Sequence, residues 1–515
     1  MSTQSNKPEK SKEELEADQQ KLSKQLLSLQ DSIVRKPPYC YGTVPVDVKD
    51  CILFYGKDDD ARRINLSQAT DEQLQHLAKT CDPATFGVHE QDVYDETYRK
   101  AGKLDAEHFS LNVTPDHLGL LDIVRDQLVL VNAPQAYIGG TKIRAELYKL
   151  NVYGPQSFFK PHVDTPRGET MFGSLVLVFP TSYEGGALVL RERGCNPAPK
   201  EWSVDSASLL SQTSSPSIAY VAFFSDVEHE VLPVESGYRV TITYNLHYVS
   251  EDEPPAVSPP QPRLVPKHEA AFRATLQGLL DDPTFLPQGG NLLFCLWHQY
   301  PLPTPTEDTT LEESRQALRR LADRLKGSDA LVLQVVRALG LDASLRIVLR
   351  DEGWIYDRTT FVMCDHAVRL GEPLEFGDGD AGNLHGYLLQ AKRAILINGP
   401  FGPLDKSDLW RYGLDDEGSS DDEPNSDCVN GPMEVHWVNY LHWHEGVDNT
   451  HKTTYMAYGN QASIGTAYWR VCLLIRVGPF GQRATMTAGD EHATNDFKVV
   501  LLEVITVVVQ SYAVY

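Results

Sequence analysis

Basic residues are in short supply in this 515-residue chain: 47 lysines and arginines stand against 71 aspartates and glutamates, a formal net charge of −24. A field of that sign repels phosphate backbones and anionic lipid headgroups, so neither nucleic acid nor a membrane surface is an expected partner. Cysteine is scarce as well. The eight, Cys40, Cys51, Cys81, Cys195, Cys295, Cys364, Cys428 and Cys472, are scattered without a C-x-x-C pair, which argues against a disulfide framework or a zinc knuckle and for a reducing compartment. Residues 1–36 are charged and polar and lack the apolar stretch that directs secretion. The expected location is therefore cytoplasmic or nuclear. A spanning helix needs about 20 apolar residues. The apolar run 499–509 is shorter and is interrupted by Glu503, so it reads as a buried strand or helix rather than a tail anchor.

With roughly 150 residues per domain as a prior, the chain has room for two or three domains. Leu15, Leu22, Leu26, Leu29 and Ile33 recur at three-, four- and seven-residue steps, predicting an amphipathic helix within 1–36 that packs on its own protein. Pro37 and Pro38 end it. Residues 69–101 have a mostly helical pattern, opened by a capping box of Thr70 and Gln73, so 37–144 is expected to be a helical lead-in. The texture then changes to short β-rich runs at 148–153, 173–180, 186–191, 218–224, 229–234 and 238–248, a spacing that suits a β-sandwich or barrel over 145–250. Pro254, Pro255, Pro259, Pro260 and Pro262 mark a linker over 251–265. Beyond it, 266–515 mixes helical patterns (269–280, 311–339) with strand-like runs (393–398, 470–477) and a solvated acidic loop at 415–427. The expected fold class is thus mixed α+β, with N-terminal helices, a β domain and a separate, non-catalytic C-terminal α+β domain.

The chemistry gathers in the β-rich part. His162 and Asp164 form the chain's single His-x-Asp triplet, and residues two apart on a strand present their side chains to one face. Alone the triplet is weak, because sixteen histidines in so acidic a chain should produce roughly one by accident. His229 follows 67 residues later, and a Glu-Ser-Gly turn at 235–237 then leads to a strand beginning at Arg239. That turn predicts a hairpin with His229 and Arg239 on neighbouring strands. Arg239, Thr241 and Thr243 alternate with Val240, Ile242 and Tyr244, giving one polar, cationic face suited to a wet pocket. Two histidines and one carboxylate leave coordination positions open, the pattern of non-haem Fe(II) oxygenases. The planar fork of Arg239 matches the distal carboxylate of a dicarboxylic keto acid.

These residues resemble the 2-oxoglutarate/Fe(II) oxygenases of the prolyl 4-hydroxylase-like group, over about 145–248. A longer stretch from about residue 84 resembles uncharacterised fungal members. The resemblance implies a double-stranded β-helix (jelly-roll) with His162, Asp164 and His229 as iron ligands. It places Arg239, which follows Pro233, Val234 and Gly237, at the basic 2-oxoglutarate anchor. Tyr153, nine residues before His162, matches an aromatic that often contacts the co-substrate, although an aromatic flanking a strand serves equally as core. Thr241 joins it as a co-substrate contact from the polar face. Gly185 and Gly186 before Leu188 match the group's Gly-Gly-x-Leu strand. The implied activity is a dioxygenase using Fe(II), 2-oxoglutarate and O₂, with ascorbate as reductant, on an unidentified protein or small-molecule substrate. The rival readings are a non-enzymatic jelly-roll binding or scaffold protein with a vestigial metal site, and a cupin-like metalloenzyme without the keto acid, which Arg239 disfavours.

Two further signals carry less. Gly377, Gly379 and Gly382 formally fit a dinucleotide fingerprint, but two carboxylates lie where a pyrophosphate would sit. His436, His442, His444, Glu445 and His451 interleave with Trp437, Tyr440 and Trp443, which reads as an aromatic core with polar rims, since no spacing matches a metal template.

Overall fold

The structure is a computed structural model of the full chain. It describes residues 11–57, 60–88, 91–129, 142–192, 200–249, 267–306, 308–352, 359–368, 388–389, 394–400, 402, 432–440 and 466–483. The proline-rich linker, the 377–382 turn, the 415–427 acidic loop and the 499–509 run lie outside these residues.

Two antiparallel sheets share the first core. The larger has seven strands in the order Tyr39–Pro45, Ser217–Phe224, Met171–Val178, Arg239–Tyr248, Ile143–Tyr153, Gly102–Asp105 and Asp82–Pro83. The smaller has five: Glu201–Val204, Leu188–Arg191, Glu228–Val231, Phe158–His162 and Arg99–Lys100. Between Ile143 and Tyr248 the chain crosses repeatedly between the two sheets, so most strands pair with partners distant in sequence, the consecutive pair Leu188–Arg191 and Glu201–Val204 excepted. Ser217–Phe224 is buried at every position, as its unbroken apolar run requires of an inner strand covered on both faces. Leu150, Leu175, Leu190, Ile218, Phe223 and Val240 belong to one continuous core.

The helical lead-in is corrected. Among the described residues of 69–101 the helix covers only Asp71–Thr80, where Thr70 and Gln73 form the expected reciprocal cap, with Gln73 N donating to Thr70 Oγ1 at 3.3 Å and Thr70 N to Gln73 Oε1 at 3.1 Å. Asp82–Pro83 and Gly102–Asp105 instead extend the larger sheet beyond Ile143–Tyr153, and Tyr39–Pro45 pairs with Ser217–Phe224 at its other edge. Open sheet edges with unpaired backbone groups recruit these segments, overriding a local preference of a few tenths of a kcal/mol per residue.

The C-terminal residues build a six-stranded sheet ordered Ile395–Ile397, Thr359–Cys364, Asp342–Glu352, Thr466–Val477, Gly290–Pro303 and His436–Trp437, antiparallel except for the last pair. Helices Lys267–Asp281, Leu311–Leu321 and Gly327–Ala338 share a core with it. The N-terminal helix Lys12–Asp31, capped by Ser11 and Glu14, packs on this second core, where Leu29 and Ile33 are buried with Phe272 and Leu276. Among the described residues no helix is long and apolar enough to cross a membrane.

Candidate active site

His162 is the last residue of its strand, and His229 lies directly opposite it on the neighbouring strand of the smaller sheet. Asp164 follows two residues beyond. One ligand atom from each of the three lies within 4.8 Å of the others, and all three side chains are buried. A backbone carbonyl can only accept a hydrogen bond, so the 2.8 Å contact of His162 Nδ1 with Lys160 O and the 3.0 Å contact of His229 Nδ1 with Val227 O place the proton on Nδ1 in both rings. The nitrogen each can offer a metal is therefore Nε2, the tautomer control usual around metal-binding histidines. His229 Nε2 lies 3.8 Å from Asp164 Oδ1, and Asp164 Oδ2 accepts a short hydrogen bond from Ser174 Oγ. Ser174 belongs to the larger sheet, so this bond ties the carboxylate to the opposite wall. Phe159 stacks on the His162 ring at 3.5 Å and Phe223 lies 4.6 Å from the His229 ring, making the surroundings apolar.

Arg239 stands on the larger sheet, so the hairpin expectation is corrected. Glu228–Val231 is flanked on both sides by Leu188–Arg191 and Phe158–His162, leaving no edge for Arg239–Tyr248. The intervening Val234–Gly237 pairs with Tyr183–Gly185 and carries the chain across, Gly237 taking a φ of +71°. His229 and Arg239 thus line one pocket from opposite sheets. The alternation on Arg239–Tyr248 has the expected sense: Arg239, Thr241 and Thr243 line the pocket while Val240 and Ile242 lie in the core.

Arg239 is 2% exposed, the largest fully buried side chain in the described structure. Its backbone pairs with Tyr153, whose ring centroid lies 5.6 Å from Cζ. Burial pushes the Tyr183 hydroxyl upward in pKa, while the neighbouring arginine and a hydrogen bond from Ser206 oppose the rise. Thr241 sits opposite Asn151, its Oγ1 a long 3.5 Å from that residue's carbonyl. Gly186 approaches so closely that a Cβ there would lie 3.0 Å from Arg239 Cδ. Arg239 Nε has no hydrogen-bond acceptor, and no carboxylate pairs with the guanidinium among the described residues. A buried cation without a counter-charge costs several kcal/mol, so the site fits an anionic ligand, and the two-histidine, one-carboxylate set fits an oxygenase metal.

Among the pocket residues that sequence reasoning missed are the polar Ser174, Arg99, Lys149 and Asn151. Lys149, Asn151 and Tyr153 alternate along one strand and could have been read as a polar floor, whereas nothing local marked Ser174 or Arg99. In the second aromatic cluster, Trp437 and Tyr440 pack against Phe361, while His442, His444, Glu445 and His451 lie outside the described residues. Among the described residues, His162, Asp164 and His229 are the one group able to hold a metal.

Two histidines and one carboxylate opposite a buried arginine form a donor set of the kind found in metal-dependent oxidising sites. Residues 148–247 match the profile of the 2OG-Fe(II) oxygenase superfamily. Fe(II), 2-oxoglutarate and O₂ are what the superfamily implies. No curated protein matches the chain. Similar solved structures include a Pseudomonas putida prolyl-4-hydroxylase, 16% identical with a TM-score of 0.25 and covering 44% of this chain and 100% of that one. Another is a Trichoplax adhaerens prolyl hydroxylase in complex with a hypoxia inducible factor peptide fragment, 15% identical with a TM-score of 0.23, covering 46% and 94%.

Proposed function

We propose that this chain is an Fe(II)- and 2-oxoglutarate-dependent dioxygenase that hydroxylates a protein side chain, as prolyl hydroxylases do, or a small molecule. The observation carrying this reading is the buried Arg239 guanidinium, without a carboxylate partner, lining the same pocket as the His162, Asp164 and His229 set. His162 and His229 would hold the metal through Nε2 and Asp164 through a carboxylate oxygen. Bound iron would couple decarboxylation of the keto acid, giving succinate and CO₂, to oxidation of the substrate C–H bond. Arg239 binds the distal carboxylate and so orients the keto acid toward the metal. Tyr153 walls that anchor, and Thr241 offers it a hydroxyl. Phe159 and Phe223 keep water from the ligand histidines, and Ser174 fixes the carboxylate's orientation. The alternation of strands between two sheets supports a double-stranded β-helix.

Within the same proposal, 266–515 is a non-catalytic domain, since its helices and sheet have their own core. Ascorbate maintaining the reduced metal and a cytoplasmic or nuclear location accompany this reading. Its test is affinity for 2-oxoglutarate by calorimetry with Co(II) in place of iron. Removing one partner of a buried charge pair costs about 2 to 5 kcal/mol, so Arg239→Ala should weaken 2-oxoglutarate by at least roughly thirtyfold while Co(II) binding persists. Arg239→Lys should fall between, keeping the charge without the fork. An unchanged affinity in Arg239→Ala overturns the assignment.

A further inference from the structure

A short relay connects His229 to the second half of the chain. Its Nδ1–H donates to Val227 O at 3.0 Å, and Val227 follows a turn at Ser225 and Asp226 that leaves the strand Ser217–Phe224. Within its own half the turn is held by two backbone bonds, Val227 N to Phe224 O and Ser225 N to Phe172 O, both at 3.0 Å. The Asp226 carboxylate bonds instead to the second half, accepting from Lys326 Nζ at 2.8 Å and from His298 Nδ1 and Gln299 N, both at 3.0 Å. The lysine and aspartate side chains are 1% and 7% exposed.

Lys326 is itself fixed in place. Its N–H donates to the buried Tyr300 Oη at 3.0 Å, and its Nζ donates a second time to Gln299 O at 3.2 Å. Nζ also lies 5.7 Å from the ring centroid of Phe224, the residue before the turn, and the same ring meets His298 edge-on at 4.8 Å. Asp226 and Val227 share one planar peptide unit, so a carboxylate held at three points restricts the swing of the carbonyl beside it. A histidine ligand is aimed by the acceptor on its other ring nitrogen. Holding Asp226 therefore holds the acceptor that aims His229.

A second tie comes from the same segment. Arg324 Nη1 lies 3.3 Å and Arg320 Nη2 3.5 Å from the Glu169 carboxylate, five residues after Asp164. These side chains are partly exposed, and ion pairs at such positions contribute little, which leaves the buried Lys326 as the residue of consequence. We propose that Lys326 is a positioning residue for the metal centre: through Asp226 it holds the turn whose Val227 carbonyl aims the His229 ring. This rests on the metal-site reading above and adds to it a role for the chain beyond residue 266. A bond that merely joins the two halves would predict a loss of stability alone.

The test uses the full chain and Co(II), read by calorimetric affinity and by the visible ligand-field spectrum at a temperature where each variant is folded by circular dichroism. Lys326→Met should weaken Co(II) about tenfold or more, at the lower end of outer-shell losses, and shift the spectrum, because one of the three protein ligands is no longer aimed. The control is Leu276→Ala, which loosens the second core on helix Lys267–Asp281 without touching the relay and should keep the wild-type affinity and spectrum. Should Lys326→Met fail to fold, His298→Ala, which removes one donor to Asp226 and leaves the ion pair, must show the spectral shift and a severalfold loss of Co(II) affinity. A wild-type affinity and spectrum in folded Lys326→Met overturn the proposal. Equal losses in Lys326→Met and Leu276→Ala overturn it too, since general loosening of the second half would then suffice. Failure of the wild-type chain to bind Co(II) removes the metal-site reading and this proposal with it, whereas wild-type binding with an indifferent Lys326→Met removes this proposal alone.

Discussion

Lys326 Nζ lies 2.8 Å from Asp226 Oδ1, a buried ion pair joining the two halves of the chain three residues before His229. Asp226 also accepts from Gln299 N and His298 Nδ1, both at 3.0 Å, and Lys326 donates a second time to Gln299 O at 3.2 Å. Asp329 steadies the same strand, accepting from Trp297 N at 2.9 Å, His298 N at 3.0 Å and Tyr300 Oη at 2.8 Å. Removing one partner of a buried pair leaves the other uncompensated, at a cost of about 3 to 5 kcal/mol. Lys326→Met should lose about that much stability in denaturant unfolding. Lys326→Met with Asp226→Asn should recover part of it, because no charge is then stranded. A single variant as stable as wild type would show that the pair is not buried in solution.

The same network gives acid sensitivity. Burial alone would raise the Asp226 pKa, but Lys326 and His298 outweigh it and hold the carboxyl well below its ordinary value. A group depressed in the folded state contributes stability that is present above the unfolded value near 4 and lost as pH falls through the folded value. Asp329 has the opposite sign: burial raises it against His298, two backbone N–H groups and Tyr300, so its protonation recovers some stability as pH falls toward the unfolded value. The Asp226 contribution should give wild type a steeper stability loss below about pH 4 than Asp226→Asn. Parallel unfolding curves for the two proteins across that range would count against it.

Metal affinity should depend on the ligands and on the residue that orients one of them. Asp164→Ala should abolish Co(II) binding. Ser174→Ala leaves the ligand set intact but frees the carboxylate to rotate, and outer-shell losses of this kind weaken metal by about 10- to 100-fold. Stoichiometric metal in Asp164→Ala after desalting would refute the ligand assignment.

Gly186 packs against the Arg239 side chain. It has a φ of +67°, and a Cβ would meet Val234 Cγ2 at 2.8 Å and Arg239 Cδ at 3.0 Å. Gly186→Ala should cost about 1 to 2 kcal/mol of backbone strain and displace Arg239, lowering 2-oxoglutarate affinity while Co(II) affinity holds. Equal affinity for 2-oxoglutarate in the variant would mean that the arginine does not need this close approach.

What the sequence determined by itself is local chemistry. The His-x-Asp triplet, His229, and the alternation of Arg239, Thr241 and Thr243 were legible because side-chain direction repeats every two residues along a strand. The capping box at Thr70, and the two helical stretches after residue 266, follow equally from neighbours three or four residues apart. Sheet order was decided only in three dimensions. The segment before residue 145 has a helical texture in part, yet unpaired edges of the larger sheet draw strands from it. The turn after His229 looked like a hairpin, yet two other strands already flank Glu228–Val231, so Arg239 lines the pocket from the opposite wall. Ser174, Arg99, Lys149 and the Asp226–Lys326 pair come from separate segments of chain. Their meeting is set by non-local pairing and packing, which no periodicity within a single segment encodes.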